Sequence, residues 1–273
     1  MRLFVAGLRK LVRRPATYVT FGLLVGLLAL ILIAVGATAG QEAAGEGGQA
    51  ALLLVTFPGA YSIILQFILG LGGLFALIYG AAIAGSEWTW GTLKSAVARG
   101  ENRSRYQLLS LAAIAVMLGI GLLAAFAIGV VVAIVAATIA GVSTAGLGDA
   151  ATLGTLPELM ARGWLSIAEA GALGFAIATL ARSQLAGIGV GIAVYFGEQF
   201  ASIFLRDIVK YMPFNAGSAV VATSGGDGGF GGGGGGGVPA GLEPNTALIV
   251  VALWLIAAVV VTATFTERAE ISG

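Results

Sequence analysis

Six long stretches of the chain carry almost no polar side chains, and the charged residues gather between them. The stretches run over residues 16–36, 60–85, 108–140, 162–181, 185–205 and 246–265. None alternates residue by residue as a barrel strand does over about ten positions. Each approaches or exceeds the ~20 apolar residues that cross a bilayer core. The pattern therefore predicts six transmembrane helices. Residues 50–57 form a further apolar piece, cut off from the second stretch by Pro58 and Gly59, and read as a short outer or re-entrant segment. The third stretch is longer than a bilayer core and holds no turn residues, which predicts one long, tilted helix. Pro15, Pro58, Pro157, Pro213, Pro239 and Pro244 all fall at or beyond the ends of the stretches, where a residue that cannot donate to a helix belongs. The first stretch is too long for a removable signal peptide.

Composition sharpens this picture. Of 273 residues, 58% are hydrophobic and 10% are charged, against about 25% charged in a soluble domain, and mean hydropathy is +1.00. A soluble enzyme or nucleic-acid-binding domain cannot hide so much apolar surface. The chain has no His and no Cys, which excludes histidine-based acid–base chemistry, zinc and iron–sulfur sites, and thiol nucleophiles. Its basic residues split unevenly. Arg2, Arg9, Lys10, Arg13, Arg14, Lys94, Arg99, Arg103, Arg105, Arg182 and Arg268 fall on one side of the six-span layout, and Arg162, Arg206 and Lys210 on the other. The positive-inside rule then places both termini in the cytoplasm of a multi-pass cell-membrane protein.

The connections differ in information content. Residues 224–237 are almost pure glycine. They lack the Lys-Ser/Thr ending of a phosphate-cradling loop and read as an extracytoplasmic tether. No ATPase site is recognisable, so the chain is expected to have no catalysis or cofactor of its own. Residues 1–14 place Leu3, Phe4, Leu8, Leu11 and Val12 at helical spacing among basic residues. That is an amphipathic helix on the cytoplasmic leaflet, and equally a topogenic signal. Residues 15–273 then form the six-helix domain.

The connection between the second and third spans holds Glu87, Trp88, Trp90, Gly91, Thr92, Leu93, Lys94, Arg99, Gly100 and Arg103. Thr92 or Gly91 can cap a short helix over residues 93–98 that Gly100 stops. Leu93, Ala96 and Val97 share one face of it. An apolar face with basic flanks suits docking into a soluble partner, and a charged loop that fixes topology has the same composition.

These residues resemble the cytoplasmic signature of the ABC-2 type transporter permeases: a Glu, then Gly-Thr-Leu, then a basic-Pro-x-Ser-Arg turn. Glu87, Gly91-Thr92-Leu93, Arg99 and Arg103 match it. Gly100 stands in place of the usual Pro, Asn102 in place of the usual Ser, and Ser110 in place of a common Lys. Residues 8–15 resemble the family's connecting helix, Tyr211-Met212-Pro213-Phe214 its Tyr-Leu-Pro segment, and Phe265-Thr266-Glu267-Arg268 its end. The resemblance implies an all-α six-helix permease, paired with a second permease copy or homologue. Two separate ABC ATPase subunits would bind ATP-Mg, and the coupling helix would carry their movement into the membrane domain. Glu87, Gly91, Thr92, Leu93, Ala96, Val97, Arg99 and Arg103 would form that contact. It further implies export, with ATP chemistry confined to the partner. A secondary transporter or channel would fit the same span count, as would a membrane scaffold without transport.

Two carboxylates fall inside spans. Glu169 and Glu198 lie at nearly equal offsets from the turn at Ser183, so an antiparallel hairpin sets them at one depth. Ionisable residues in a span face a bundle interior or a wet cavity. They read as a polar lining of a substrate path or a proton-sensitive point in it. They read equally as members of a structural hydrogen-bond network, or as headgroup-level partners of Arg162 or Arg206. Gly22/Gly26, Gly187/Gly191 and Ala81/Gly85 are small-residue pairs suited to close helix contact.

Overall fold

The computed structural model describes residues 2–39, 52–221 and 242–268. Its elements are α1 (Arg2–Val12), α2 (Pro15–Ala39), α3 (Gly59–Thr89), α4 (Thr92–Ala98), α5 (Arg103–Ile139), α6 (Ala150–Ala181), α7 (Gln184–Ala201), α8 (Arg206–Val209), α9 (Pro213–Ala219) and α10 (Pro244–Arg268), with a 3₁₀ turn over Ala145–Gly148. The fold is all-helical, and no strand occurs among the described residues. The Gly-rich stretch 224–237 lies outside the described residues.

Five helices, α2, α3, α5, α6 and α10, are long and apolar enough to cross a membrane. The third apolar stretch is a single helix of 37 residues, about 55 Å long at the α-helical rise. The α7 helix stops after 18 residues, short of the expected end at 205. There Glu198, Gln199 and Ser202 interrupt the apolar run, and Ser202 Oγ turns back onto the Gln199 carbonyl at 2.6 Å.

Pro157 corrects the expectation that every proline lies at or beyond a helix end: it falls inside α6. That helix begins well before the apolar run, because Asp149 caps it by accepting from Thr152 N at 2.9 Å. The ion pair between Glu158 and Arg162 then holds its polar first turns. Asn102 caps α5 by accepting from Arg105 N at 3.1 Å. Ser183 caps α7 by accepting from Ala186 N at 3.4 Å.

The centre of the bundle is the pair α3 and α6, which pack more extensively than any other two elements. Their apolar windows are each 67% buried within this one chain, against 22% for α2 and 17% for α10. Glycine makes the close crossing possible. A Cβ at Gly80 would strike the Gly171 carbonyl, and one at Gly174 the Leu77 carbonyl. Gly187 lies against Ala178, Gly191 against Leu77 and Gly85 against Gln184, so these small residues serve contacts inside the chain. Gly22 and Gly26 face open space.

The two ends of the bundle differ in charge. One end gathers α1, α4, the last turn of α3, the first turn of α5, the α6–α7 turn and the end of α10. Arg182 there lies over the rings of Trp88 and Phe265 at 5.4 and 5.3 Å, and Ser104 donates to Glu267 at 2.8 Å. At the other end Tyr61 donates to the Leu147 carbonyl at 2.8 Å, and Arg162 donates to Asn245 at 2.9 Å. Val55 and Phe57, from the short piece expected to be outer or re-entrant, are buried at this second end.

Candidate functional site

At the basic end, Glu87 is the knot. It closes α3 with 1% of its surface exposed. Lys10 of α1 donates to its Oε1 at 2.8 Å, and the Tyr106 hydroxyl of α5 reaches the same oxygen at 3.4 Å. Thr92, at the start of α4, donates to the Glu87 carbonyl at 3.3 Å. One residue before the knot, Ser86 accepts from Arg14 at 2.7 Å, and the Arg14 guanidinium lies over the Trp90 ring at 5.4 Å. Glu87 thus joins four helices. Its Oε2 and both polar atoms of Gln107 are buried without a hydrogen-bond partner.

The short helix α4 follows from local chemistry. Gly91 precedes it at φ +64° and Gly100 follows at φ +84°, a region in which only glycine is free of strain. Leu93 and Ala96 are each 1% exposed, and α4 packs on α3 and α5. The apolar face that the sequence offers to a partner is therefore turned inward. Val97 is half-buried, and Ser95, Ala98 and Arg99 form the outward side. Arg103 opens α5 beside them.

Glu169 of α6 and Glu198 of α7 are both buried. They are 1% and 6% exposed and near enough for their charges to interact. Glu198 Oε2 accepts from both Asn215 N at 2.8 Å and Asn215 Nδ2 at 3.0 Å. Its Oε1 and Glu169 Oε1 have no partner. Glu169 borders a small cavity of about 20 Å³ with Ser166, Tyr195, Gln199 and Ser218. That is room for one water-sized occupant. Tyr195 donates to the Gly70 carbonyl at 3.1 Å and Ser218 to the Asn215 carbonyl at 2.9 Å. Among the described residues no Lys or Arg pairs with these carboxylates: Arg162 pairs with Glu158 and Lys210 with Asp207.

Sequence reasoning brought out Glu87, Glu169 and Glu198 but missed their neighbours. Lys10 and Tyr106 are distant in sequence from Glu87, and only the packing of α1 on α5 brings them to it. Asn215 carried a faint signal, as it follows the Pro213-Phe214 pair singled out above. A second, apolar cleft of about 230 Å³ opens between α2, α3 and α5, bordered by Phe21, Leu24, Phe75, Tyr79 and Leu118. Among the described residues no group of three or more Asp and Glu side chains could hold a metal ion. No family model matches the chain, and no curated protein matches it.

Proposed function

We propose that the chain is the membrane-spanning permease subunit of an ABC transporter of the ABC-2 type, an exporter driven by a separate ATPase subunit. One observation carries the reading: Glu87 ties the short helix α4 and the amphipathic helix α1 to the ends of α3 and α5. A push on α4 from a soluble partner would be passed to α3, the most buried helix of the bundle together with α6. The partner would meet the outward side of α4, Ser95, Ala98 and Arg99, with Leu93 and Ala96 anchoring that helix from behind.

In this reading α7 also crosses the membrane, as the fifth of six spans, both termini are cytoplasmic, and α1 lies on the inner leaflet. ATP and Mg²⁺ are bound by the partner, and this chain performs no hydrolysis. A second permease copy or homologue covers the bare faces of α2 and α10, with the open Gly22/Gly26 face as a close-contact seam. Glu169 and Glu198 border the substrate path. The buried carboxylate pair also favours a second reading, a secondary transporter or channel.

Co-purification separates the two. The tagged chain, expressed with the proteins of its own cell and extracted in mild detergent, should retain an ATP-hydrolysing subunit, and Arg99→Glu should release it. Purification free of any ATPase, with unaided ion or solute flux in vesicles, would favour the second reading.

A further inference from the structure

We infer that the cavity beside Glu169 is a binding site for one sodium ion, held by Glu169 with the hydroxyl oxygens of Ser166, Tyr195 and Ser218. The charge balance comes first. Glu169 and Glu198 are both buried, and no basic side chain borders the cavity among the described residues. A buried charge in a membrane helix is paired or marks an ion pathway, and among the described residues no basic side chain pairs with Glu169.

The direction of the hydrogen bonds narrows the occupant. Tyr195 and Ser218 have spent their protons on the backbone carbonyls of Gly70 and Asn215, so toward the cavity they offer lone pairs. Glu169 Oε1 is an unpartnered acceptor at 1% residue exposure. A proton on Glu169 can serve one of these acceptors, whereas a cation in the cavity serves them together. A water would bring two hydrogens and no positive charge.

The size and ligand set favour a monovalent ion. Mg²⁺ usually keeps several of its waters, and a cavity of about 20 Å³ admits one. Ca²⁺ takes six to eight oxygens, often with bidentate carboxylates, and Glu198 Oε2 is already committed to Asn215. Gly217 completes the fit: a Cβ there would press on Ser166 Oγ at 2.6 Å, so the absent side chain leaves room for the hydroxyl. The site requires no ATPase partner and stands whichever transport reading holds.

Thermal unfolding of the purified full-length chain in detergent tests it, with NaCl titrated against choline chloride at constant ionic strength and pH 7.5. Sodium should raise Tm saturably, since a ligand of the native state stabilises it. Glu169→Gln should abolish the dependence, and Ser166→Ala should raise the half-saturating sodium concentration roughly tenfold, equivalent to about 1.4 kcal/mol. Equal Tm in sodium and choline would overturn the site. So would retention of the full sodium effect in Glu169→Gln, or a Tm that rises on acidification while sodium does nothing, which would assign the cavity to a proton. Stabilisation by Ca²⁺ at concentrations where sodium has no effect would overturn the monovalent assignment.

Discussion

Replacing Leu93 by alanine tests which way α4 faces. Leu93 is 1% exposed and packs inward with Ala96 from a helix of seven residues. A buried Leu→Ala change costs about 2–5 kcal/mol, according to how far the site collapses. Here a short helix at the end of the bundle can settle onto α3 and α5, which places the loss near the lower end, about 2 kcal/mol. That corresponds to a fall in Tm of about 4 °C or more for a chain of this size. Arg99→Glu, on the exposed side, should leave stability within about 0.5 kcal/mol. Tryptophan fluorescence during thermal unfolding reads the change directly, because Trp88 and Trp90 immediately precede α4. The two variants should thus separate: Leu93→Ala unfolds early, and Arg99→Glu loses only the partner. An unchanged Tm in Leu93→Ala, together with loss of a bound ATPase, would show that Leu93 faces the partner and would refute the inward packing.

The Glu87 knot should respond asymmetrically. Glu87→Gln removes a pair whose lysine is 31% exposed and should cost about 1 kcal/mol, whereas Lys10→Met strands a buried carboxylate and should cost about 2 kcal/mol or more by the same unfolding assay. Gly174→Ala drives a methyl group into the Leu77 carbonyl and should lower stability by about 1–3 kcal/mol, with no comparable loss for Gly26→Ala, where the space is open. Asp149 is held below the usual carboxylate range by hydrogen bonds from the Thr152 hydroxyl and N–H. Its depressed value means that the cap stabilises above the unfolded pKa, about 3.9, and is lost as pH falls through the folded value, so wild-type Tm should drop more steeply below about pH 4 than that of Asp149→Asn. In sealed cells, a cysteine replacing Ser143 should react with a membrane-impermeant maleimide and one replacing Ser95 should not; the reverse labelling would invert the topology.

The apolar runs made the membrane helices legible, including the length of α5, because continuous hydrophobicity over more than ~20 residues has few other uses. The same signal misjudged α6, whose first turns are polar. What holds them is a cap at Asp149 and an ion pair four residues apart, and neither is a matter of hydropathy. Helical spacing identified Leu93 and Ala96 as a buried face, but periodicity says that a face is covered and not by what. Glu169 and Glu198 were expected at one depth from their offsets from Ser183, and both are buried in the α6–α7 hairpin. Asn215, which holds one of them, comes from a separate short helix that no pattern in α6 or α7 encodes.

The contrast between the two acidic sites follows from where the basic residues lie. Nearly every Lys and Arg sits at one end of the bundle, where the topology rule concentrates them. Glu87 lies at that end and finds Lys10 at 2.8 Å, with the lysine head still partly in water. Glu169 and Glu198 are buried, and in the proposed membrane placement a lysine or arginine beside them would itself cost about 2.5 kcal/mol or more to insert. Asn215 offers a neutral answer to one oxygen of Glu198. Glu198 Oε1 and Glu169 Oε1 are left without a partner, and Glu169 borders a space large enough for one small occupant. A chain selected only for stability would replace such a pair with apolar side chains of similar volume, a change that is often neutral or favourable in buried sites. Glu87, which a lysine reaches, thus ties helices together, and Glu169, which no Lys or Arg among the described residues reaches, is left facing a cavity.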